Sequence, residues 1–256
     1  EFIGAGRFGN WLDNARDWNI SRNRYWSTPI PVWECSCGKR HVVGSIEEIE
    51  KLSGVKVEDL HKQHLDKITF KCECGKEMKR VSEVLDCWFE SGSVPFARLH
   101  YPFENKEILD NNTVYPSDFI AEGVDQTRGW FFTLHAIGTM VFDSIAYKSV
   151  ISNGLVLDKN GNKMSKRLGN AVDPFGAIEQ YGSDPLRWYM ISNSSPWENL
   201  KFDTAGVEEV SRKFFGTLYN TYSFFALYAN VDGFDNSQPQ IAYEERPEID
   251  RWILSL

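Results

Sequence analysis

The hydrophobic pattern changes character at Val84. Before it, two cysteine-bearing stretches flank a polar segment in which the charged run Ile46–Leu52 predicts a short helix. From Val84 onward, dense apolar segments alternate with glycine and proline. Phe119–Ala121 predicts a buried strand that runs into Glu122-Gly123-Val124-Asp125, and Arg128–Phe142 predicts a mostly buried helix. Ser149–Ser152 predicts another strand, with Gly154–Leu157 either continuing it or folding back as a hairpin. Asp173-Pro174 is a helix start, a capping side chain followed by proline at the first helical position, and Gly182 is the matching stop. Strand, helix, strand, helix in that order predicts a parallel α/β unit. Past Asp184 the pattern becomes helical and aromatic. Asp203-Thr204 caps a long helix to about Asn230, with Val207, Val210, Phe214, Leu218, Phe225 and Tyr228 near one face. Asn230–Gln240 predicts a loop, and Arg246–Leu256 opens a further apolar helix.

Composition narrows the function classes. At 42% hydrophobic residues, the 256-residue chain can close a core, so global disorder is excluded. No apolar run approaches the roughly 20 residues of a membrane helix, which predicts a soluble protein. Glu1 is not followed by a charged-then-apolar leader, which gives secretion no support. The net charge of −8 argues against unspecific nucleic-acid binding over the whole surface and leaves room for a local basic site. The last helical pattern is cut before its apolar face can be covered, so the chain is expected to be a section of a larger protein.

Five cysteines are too few for a disulfide scaffold. Four of them form an internal echo: Glu34-Cys35-Ser36-Cys37-Gly38-Lys39 against Lys71-Cys72-Glu73-Cys74-Gly75-Lys76. Thiolates converging from two glycine-ended turns suit a tetrahedral structural zinc site, with nearby lysines and backbone amides offsetting the negative charge. The Cys-x-Cys spacing departs from the usual Cys-x-x-Cys knuckle and predicts a more strained chelate. Cys87 is left over and is read as packing. His61 and His64 lie in a charged surface stretch and are not assigned, while His135 sits on an apolar helix as a core histidine. Arg22 and Arg24 either contact RNA or pair with acids such as Asp13 and Asp17.

The densest chemistry is Lys163-Met164-Ser165-Lys166-Arg167-Leu168-Gly169-Asn170. Two lysines three apart, an arginine and nearby glycine make a mobile cationic loop suited to closing over a triphosphate. A solvated basic turn is the plain alternative. The full string is similar to the second signature of class I aminoacyl-tRNA synthetases. Trp18-Asn19-Ile20-Ser21-Arg22-Asn23-Arg24-Tyr25-Trp26 resembles the segment that returns to the catalytic domain of that family after its editing insertion. Asp86-Cys87-Trp88-Phe89-Glu90-Ser91-Gly92 and Glu122-Gly123-Val124-Asp125-Gln126-Thr127-Arg128-Gly129-Trp130 resemble its isoleucyl branch, with the valyl branch second and the leucyl branch third. At Ser27 the family commonly has glycine.

The resemblance implies an α/β fold: the second half of a Rossmann-like catalytic domain with a zinc-ribbon-like insertion, followed by an α-helical stem-contact region. It divides the chain into 1–28 as the return from the editing insertion, 29–85 as the zinc-binding insertion, 86–183 as the catalytic half, 184–245 as the stem-contact region and 246–256 as the start of an anticodon-binding domain. It implies ATP-dependent activation of isoleucine and transfer to tRNA(Ile), with ATP and Mg2+ as substrate, structural Zn2+, a cytoplasmic location, no membrane partner and a monomeric whole enzyme. Lys163 and Lys166 would serve the phosphates. Glu122, Gly123, Asp125, Gln126, Met164 and Ser165 would bind ATP or adenylate, with Asp125 on the ribose. Trp88 and Trp130 would wall the amino-acid pocket, and Cys35, Cys37, Cys72 and Cys74 would hold the metal. Ordinary roles compete: Trp88 and Trp130 as core, and Glu122 as an acid answering a helix dipole. The family's His-x-Gly-His signature is absent from the string, so the 256 residues alone are expected not to activate isoleucine. Two other function classes are a non-catalytic zinc-ribbon RNA-binding module and a nucleotidyltransferase acting on a small molecule. Neither explains the Asp125 and Lys163 strings together with the aromatic helix after Asp203.

Overall fold

The computed structural model describes residues 2–111, 113–237 and 239–256. Glu1, at the head of the predicted return segment, and Gln238, in the predicted loop, lie outside them. The chain divides into two compact units, one of residues 1–155 with 196–199 and one of residues 156–195 with 200–256. No helix among the described residues is long and apolar enough to cross a membrane.

The first unit holds two layers of organisation. Strands Val32–Cys35, Arg40–Val42, Thr69–Lys71 and Glu77–Arg80 form an antiparallel sheet, with Val32–Cys35 and Glu77–Arg80 at its centre. Register pairs Trp33 with Arg80 and Phe70 with Met78, so alternate residues face one small core. Trp33 is fully buried there, and its indole N–H is satisfied by the Ile68 carbonyl at 2.8 Å. The helix Ile46–Ser53 covers this core with Ile49, capped by the Ser45 hydroxyl and ended by Gly54 in the left-handed region.

The second layer is the predicted parallel unit, but its first strand is not the buried one expected: Ile120 is buried, whereas Phe119 and Ala121 are exposed. Strand Ser117–Gly123 pairs in parallel with Tyr147–Asn153, and helix Trp130–Phe142 makes the crossover. The helix begins two residues later than predicted. Val124–Arg128 is a tighter 3-10 turn, which delivers Asp125 and Gln126 at the carboxyl end of the first strand. Phe131, Leu134 and Ile137 are buried. Helix Cys87–Ala97 crosses Trp130–Phe142 at close range because Gly92 has no side chain. A Cβ there would lie 2.8 Å from Ile137 Cδ1 and 2.9 Å from the Thr133 carbonyl oxygen.

In the second unit, Val156–Leu157 does not extend the preceding strand but pairs in parallel with Leu200–Lys201, and Leu157 folds back across the 158–162 turn in a single antiparallel bridge to Lys163. Asp173 caps helix Pro174–Tyr181 through the Phe175 and Gly176 amides, as predicted, and Gly182 ends it before Ser183–Ser192 begins. The single helix expected from Asp203 is three helical stretches: Thr204–Glu209, a π-helical Val210–Phe215, and Gly216–Asp232. Of the predicted face, Val207 is fully buried, whereas Phe214, Leu218, Phe225 and Tyr228 are exposed. The helix ends at Asp232, two residues beyond the expected end, and Gly233 opens the loop. Glu248–Leu254 is the last helix.

The Gly92 contact makes a stability prediction. Gly92→Ala adds a methyl against a backbone oxygen that cannot swing away, an overpacking cost of about 1–3 kcal/mol. That outweighs the ~1 kcal/mol alanine gains in helix propensity. The expected result is a lower midpoint in urea unfolding.

Candidate active site in two parts

The first part lies where Ser117–Gly123 gives way to the 3-10 turn. Ligands of open parallel sheets sit at the carboxyl ends of the strands, and Glu122, Gly123 and Asp125 occupy that end. Glu122 is exposed. Gly123 has an ordinary negative φ, so its role is space: a Cβ would lie 2.6 Å from Asp125 Oδ1. Gln126 donates from Nε2 to Asp125 Oδ2 at 3.1 Å and accepts the Trp130 backbone N–H at 2.9 Å. It thus aims the Asp125 carboxylate and caps the helix behind it.

Trp88 and Trp130 each link the Cys87–Ala97 helix to this turn. Trp130 donates its indole N–H to the Ser91 carbonyl at 3.1 Å, joining the two helices. The Trp88 ring lies against Gly129, where a Cβ would stand 3.2 Å from its outer carbon. Trp88 is 40% exposed and so is not ordinary core.

Two acids that sequence reasoning did not single out hold the Trp88 helix. Asp86, 3% exposed, caps it through the Trp88 amide at 3.3 Å, accepts the Trp18 indole N–H at 3.0 Å and pairs with Arg22. Arg22 therefore pairs with a distant acid and not with Asp13 or Asp17. Burial pushes the Asp86 carboxyl up, but the Trp18 and Trp88 donors and the Arg22 charge outweigh it and hold it below its ordinary value. One turn on, Glu90 accepts the Ser27 hydroxyl and the Thr28 amide, each at 2.6 Å, and is likewise held low against burial. Ser27, where the resembled family commonly has glycine, is thus engaged through its hydroxyl. Cys87 is exposed and reaches Asp86 Oδ1 at 3.6 Å, so the packing role expected of it is not what the structure shows.

A second candidate site is the cationic loop, which lies in the second unit. Asp158 closes the turn before it, accepting the amides of Asn160 at 2.9 Å and Asn162 at 2.8 Å. Asn170 spans the loop from behind: its Nδ2 donates to Asp158 Oδ2 at 2.9 Å and its Oδ1 accepts the Ser165 amide at 2.9 Å. The Asn170 amide, then the Asn162 backbone, hold the Asp158 carboxyl low. Met164 packs on the cluster of Tyr189, Leu200, Phe202 and Val207. The Ser165 hydroxyl caps the short Lys166–Leu168 turn through the Arg167 amide at 3.2 Å. Lys163, Lys166 and Arg167 are exposed and form no ion pair among the described residues. The loop is pinned at its base and leaves its cations uncommitted. The Asp-Lys-Asn-Gly-Asn turn at 158–162 was the legible signal for this base.

The cysteines form a third site. Cys35, Cys37, Cys72 and Cys74 place their sulfurs within 4.8 Å of one another, and the Cys35–Cys74 and Cys37–Cys72 pairs are 3.5 and 3.8 Å apart. Zinc–sulfur bonds of about 2.3 Å in a tetrahedron require sulfurs about 3.8 Å apart, so the donor set fits that ion. Both turns are built alike. Gly38 and Gly75 donate to the Cys35 and Cys72 carbonyls at 2.8 Å, and their φ values of +88° and +82° absorb the tight Cys-x-Cys bend. The Lys76 amide, helped by Cys37 and Cys35, brings the Cys74 thiol down to about 7. At Cys35 and Cys72 a lowering backbone hydrogen bond is outweighed by burial and the neighbouring thiols, which push Cys35 up to about 11 and Cys72 upward. These three thiols therefore do not ionise alike without a cation between them.

A family model described as tRNA synthetases class I (I, L, M and V) matches residues 2–203. The chain belongs to the class I tRNA synthetases. It is 62% identical over its whole length to an isoleucine–tRNA ligase of Bacteroides thetaiotaomicron, covering 24% of that protein. Corresponding ligases of Porphyromonas gingivalis and Clostridium tetani are 58% and 51% identical, with 25% and 24% of each covered by 100% and 99% of this chain. The chain thus spans about a quarter of the length of the curated relatives it matches. Among solved structures, the LeuRS–tRNA–LeuAMS complex of Agrobacterium radiobacter K84 matches 98% of the chain and 34% of that protein at a TM-score of 0.69 and 21% identity. Mycobacterium tuberculosis methionyl-tRNA synthetase in complex with methionyl-adenylate matches 97% and 39% at a TM-score of 0.58 and 17% identity. These two show the fold alone, and it is the α/β catalytic fold expected of the family.

Proposed function

We propose that the chain supplies the cation loop, ribose-binding turn and amino-acid pocket wall of an isoleucine–tRNA ligase. Identity of 51–62% to isoleucine ligases carries the substrate, and places the valyl and leucyl alternatives behind it. The uncommitted cations of Lys163, Lys166 and Arg167 carry the chemistry. Membership of the synthetase family also leaves the zinc-ribbon RNA module without support as a complete account.

In this reading an oxygen of the isoleucine carboxylate attacks the α-phosphorus of ATP, bound with Mg2+. The new O–P bond forms as the bond from phosphorus to the bridging oxygen breaks, and pyrophosphate leaves with that electron pair. The carboxylate is already a nucleophile, so no side chain needs to remove a proton. Catalysis is alignment and charge compensation. Lys163 and Lys166 stabilise the departing phosphates, with Ser165 and Met164 shaping and anchoring the loop. Asp125 accepts from the ribose hydroxyls. Gly123 leaves room for that carboxylate, and Glu122 and Gln126 face the adenylate and the ammonium group. Trp88 and Trp130 bound the isoleucine side chain. Transfer to tRNA(Ile) follows, with 184–245 contacting the acceptor stem and 246–256 opening the anticodon-binding domain of a monomeric cytoplasmic enzyme. Residues 1–28, 29–85 and 86–183 serve as return segment, zinc insertion and catalytic half.

Two outcomes test this. In the full-length enzyme, Lys166→Ala is expected to slow isoleucine-dependent pyrophosphate exchange by about 100-fold or more, with isoleucine affinity nearly unchanged. An unchanged exchange rate removes Lys166 from the mechanism. Elemental analysis is expected to find one zinc per chain, held by Cys35, Cys37, Cys72 and Cys74. Chelation should unfold the 29–85 sheet while leaving the Lys163–Asn170 loop intact by hydrogen exchange. Absence of zinc, with all five thiols titrating freely, contradicts the metal assignment.

A further inference from the structure

A cavity of about 420 Å³ near the start of the chain is lined by Arg7, Asn10, Trp11, Asn14, Arg16 and Arg128. Its lining has no carboxylate. Three guanidiniums share it, in a chain whose net charge is −8. None of the three forms an ion pair among the described residues, although Asp13 and Asp17 flank Arg16 in sequence.

The arginines are held in different ways. Arg7 donates from Nε to the Thr127 hydroxyl at 3.1 Å, and Thr127 is itself buried, so the stem of Arg7 is fixed while its two terminal nitrogens stay unspent. Arg128 lies over the Trp11 ring, 5.2 Å from its centroid, a cation–π contact that fixes the guanidinium without neutralising it. Arg16 is exposed. The Trp11 ring contributes a wall of the cavity, while its indole N–H is closed off from solvent.

Donors that converge, lack acceptors and lack counter-charge specify an oxyanion. We propose that the Arg7–Arg16–Arg128 cavity binds a phosphate group, the guanidiniums meeting its oxygens in their planar two-point geometry over the Trp11 ring. The phosphate belongs either to an RNA backbone or to a free nucleotide. The site is separate from the Lys163–Asn170 loop and does not rest on the ligase reading, because binding here is measured without catalysis.

The test uses the 256-residue chain with two probes at low salt: a short fluorescein-labelled single-stranded RNA, and ATP. The double variant Arg16→Gln/Arg128→Gln is compared with wild type, and Arg16→Gln alone guards against a folding defect from the lost Trp11 contact. Arg40→Gln, which breaks only the exposed Glu34 pair on the cysteine-bearing sheet, is the control. The double variant is expected to bind one probe about tenfold more weakly or worse, with the single variant intermediate and Arg40→Gln unchanged. Loss confined to RNA, with the slope of log K against log salt reduced by about two, assigns the site to a phosphodiester backbone. Loss confined to ATP assigns it to a free nucleotide. Double and single variants that bind both probes as wild type does overturn the proposal.

Discussion

The buried carboxylate of Asp86 gathers the indole N–H of Trp18, the guanidinium of Arg22 and the first amide of the helix that carries Trp88. Glu90 repeats the arrangement one turn later with Ser27 and Thr28. Residues four apart share one face of a helix and a residue midway between them faces the other way. The two acids therefore tie the return segment to one side of Cys87–Ala97 and leave Trp88 on the other. There it meets Gly129, whose neighbour Trp130 is bonded to the same helix at Ser91. The wall proposed for the amino acid is thus set by one ion pair and several hydrogen bonds that lie outside it.

The same division of labour recurs in each site. The lysine loop is pinned by Asp158 and Asn170, while Lys163, Lys166 and Arg167 stay exposed and form no ion pair among the described residues. The cysteine turns are closed by Gly38 and Gly75, whose left-handed backbone lets two thiols two residues apart face the same point. Gln126 aims Asp125 while capping the crossover helix. In every case short-range hydrogen bonds hold a group whose own charge stays uncommitted. Such preorganisation lets the protein avoid reorganising when charge develops.

What the sequence made legible was local. Periodicity located Trp130–Phe142 to within two residues, and Asp173-Pro174 and Gly182 marked a helix at both ends because capping depends on near neighbours. The repeated Cys-x-Cys-Gly-Lys string announced two matching turns and, with them, the sulfur cluster. What it hid was non-local. The pairing of Val156–Leu157 with Leu200–Lys201 spans more than forty residues, and no pattern within either strand encodes a partner. Arg22 met Asp86 and not its sequence neighbours for the same reason. Trp11, Arg16 and Arg128 carry no shared motif, and only folding shows that they line one cavity. The single apolar face expected after Asp203 is not a buried stripe: only Val207 is fully buried, the π-helical Val210–Phe215 breaks the 3.6-residue register, and Tyr219, Tyr222 and Phe224 are exposed beside it.

The central claim, that the Asp86 charge holds the return segment to the Trp88 helix, is tested by the pH dependence of stability. Its pKa is depressed in the fold, so its contribution is complete above the ordinary value of 3.8 and is lost as pH falls through the lower folded value. Urea unfolding of wild type and Asp86→Asn should differ by roughly 1–3 kcal/mol near neutral pH, with part of the charge exposed through Arg22. That difference should shrink progressively below pH 3.8. A difference that stays constant through that range, or none at neutral pH, contradicts the account.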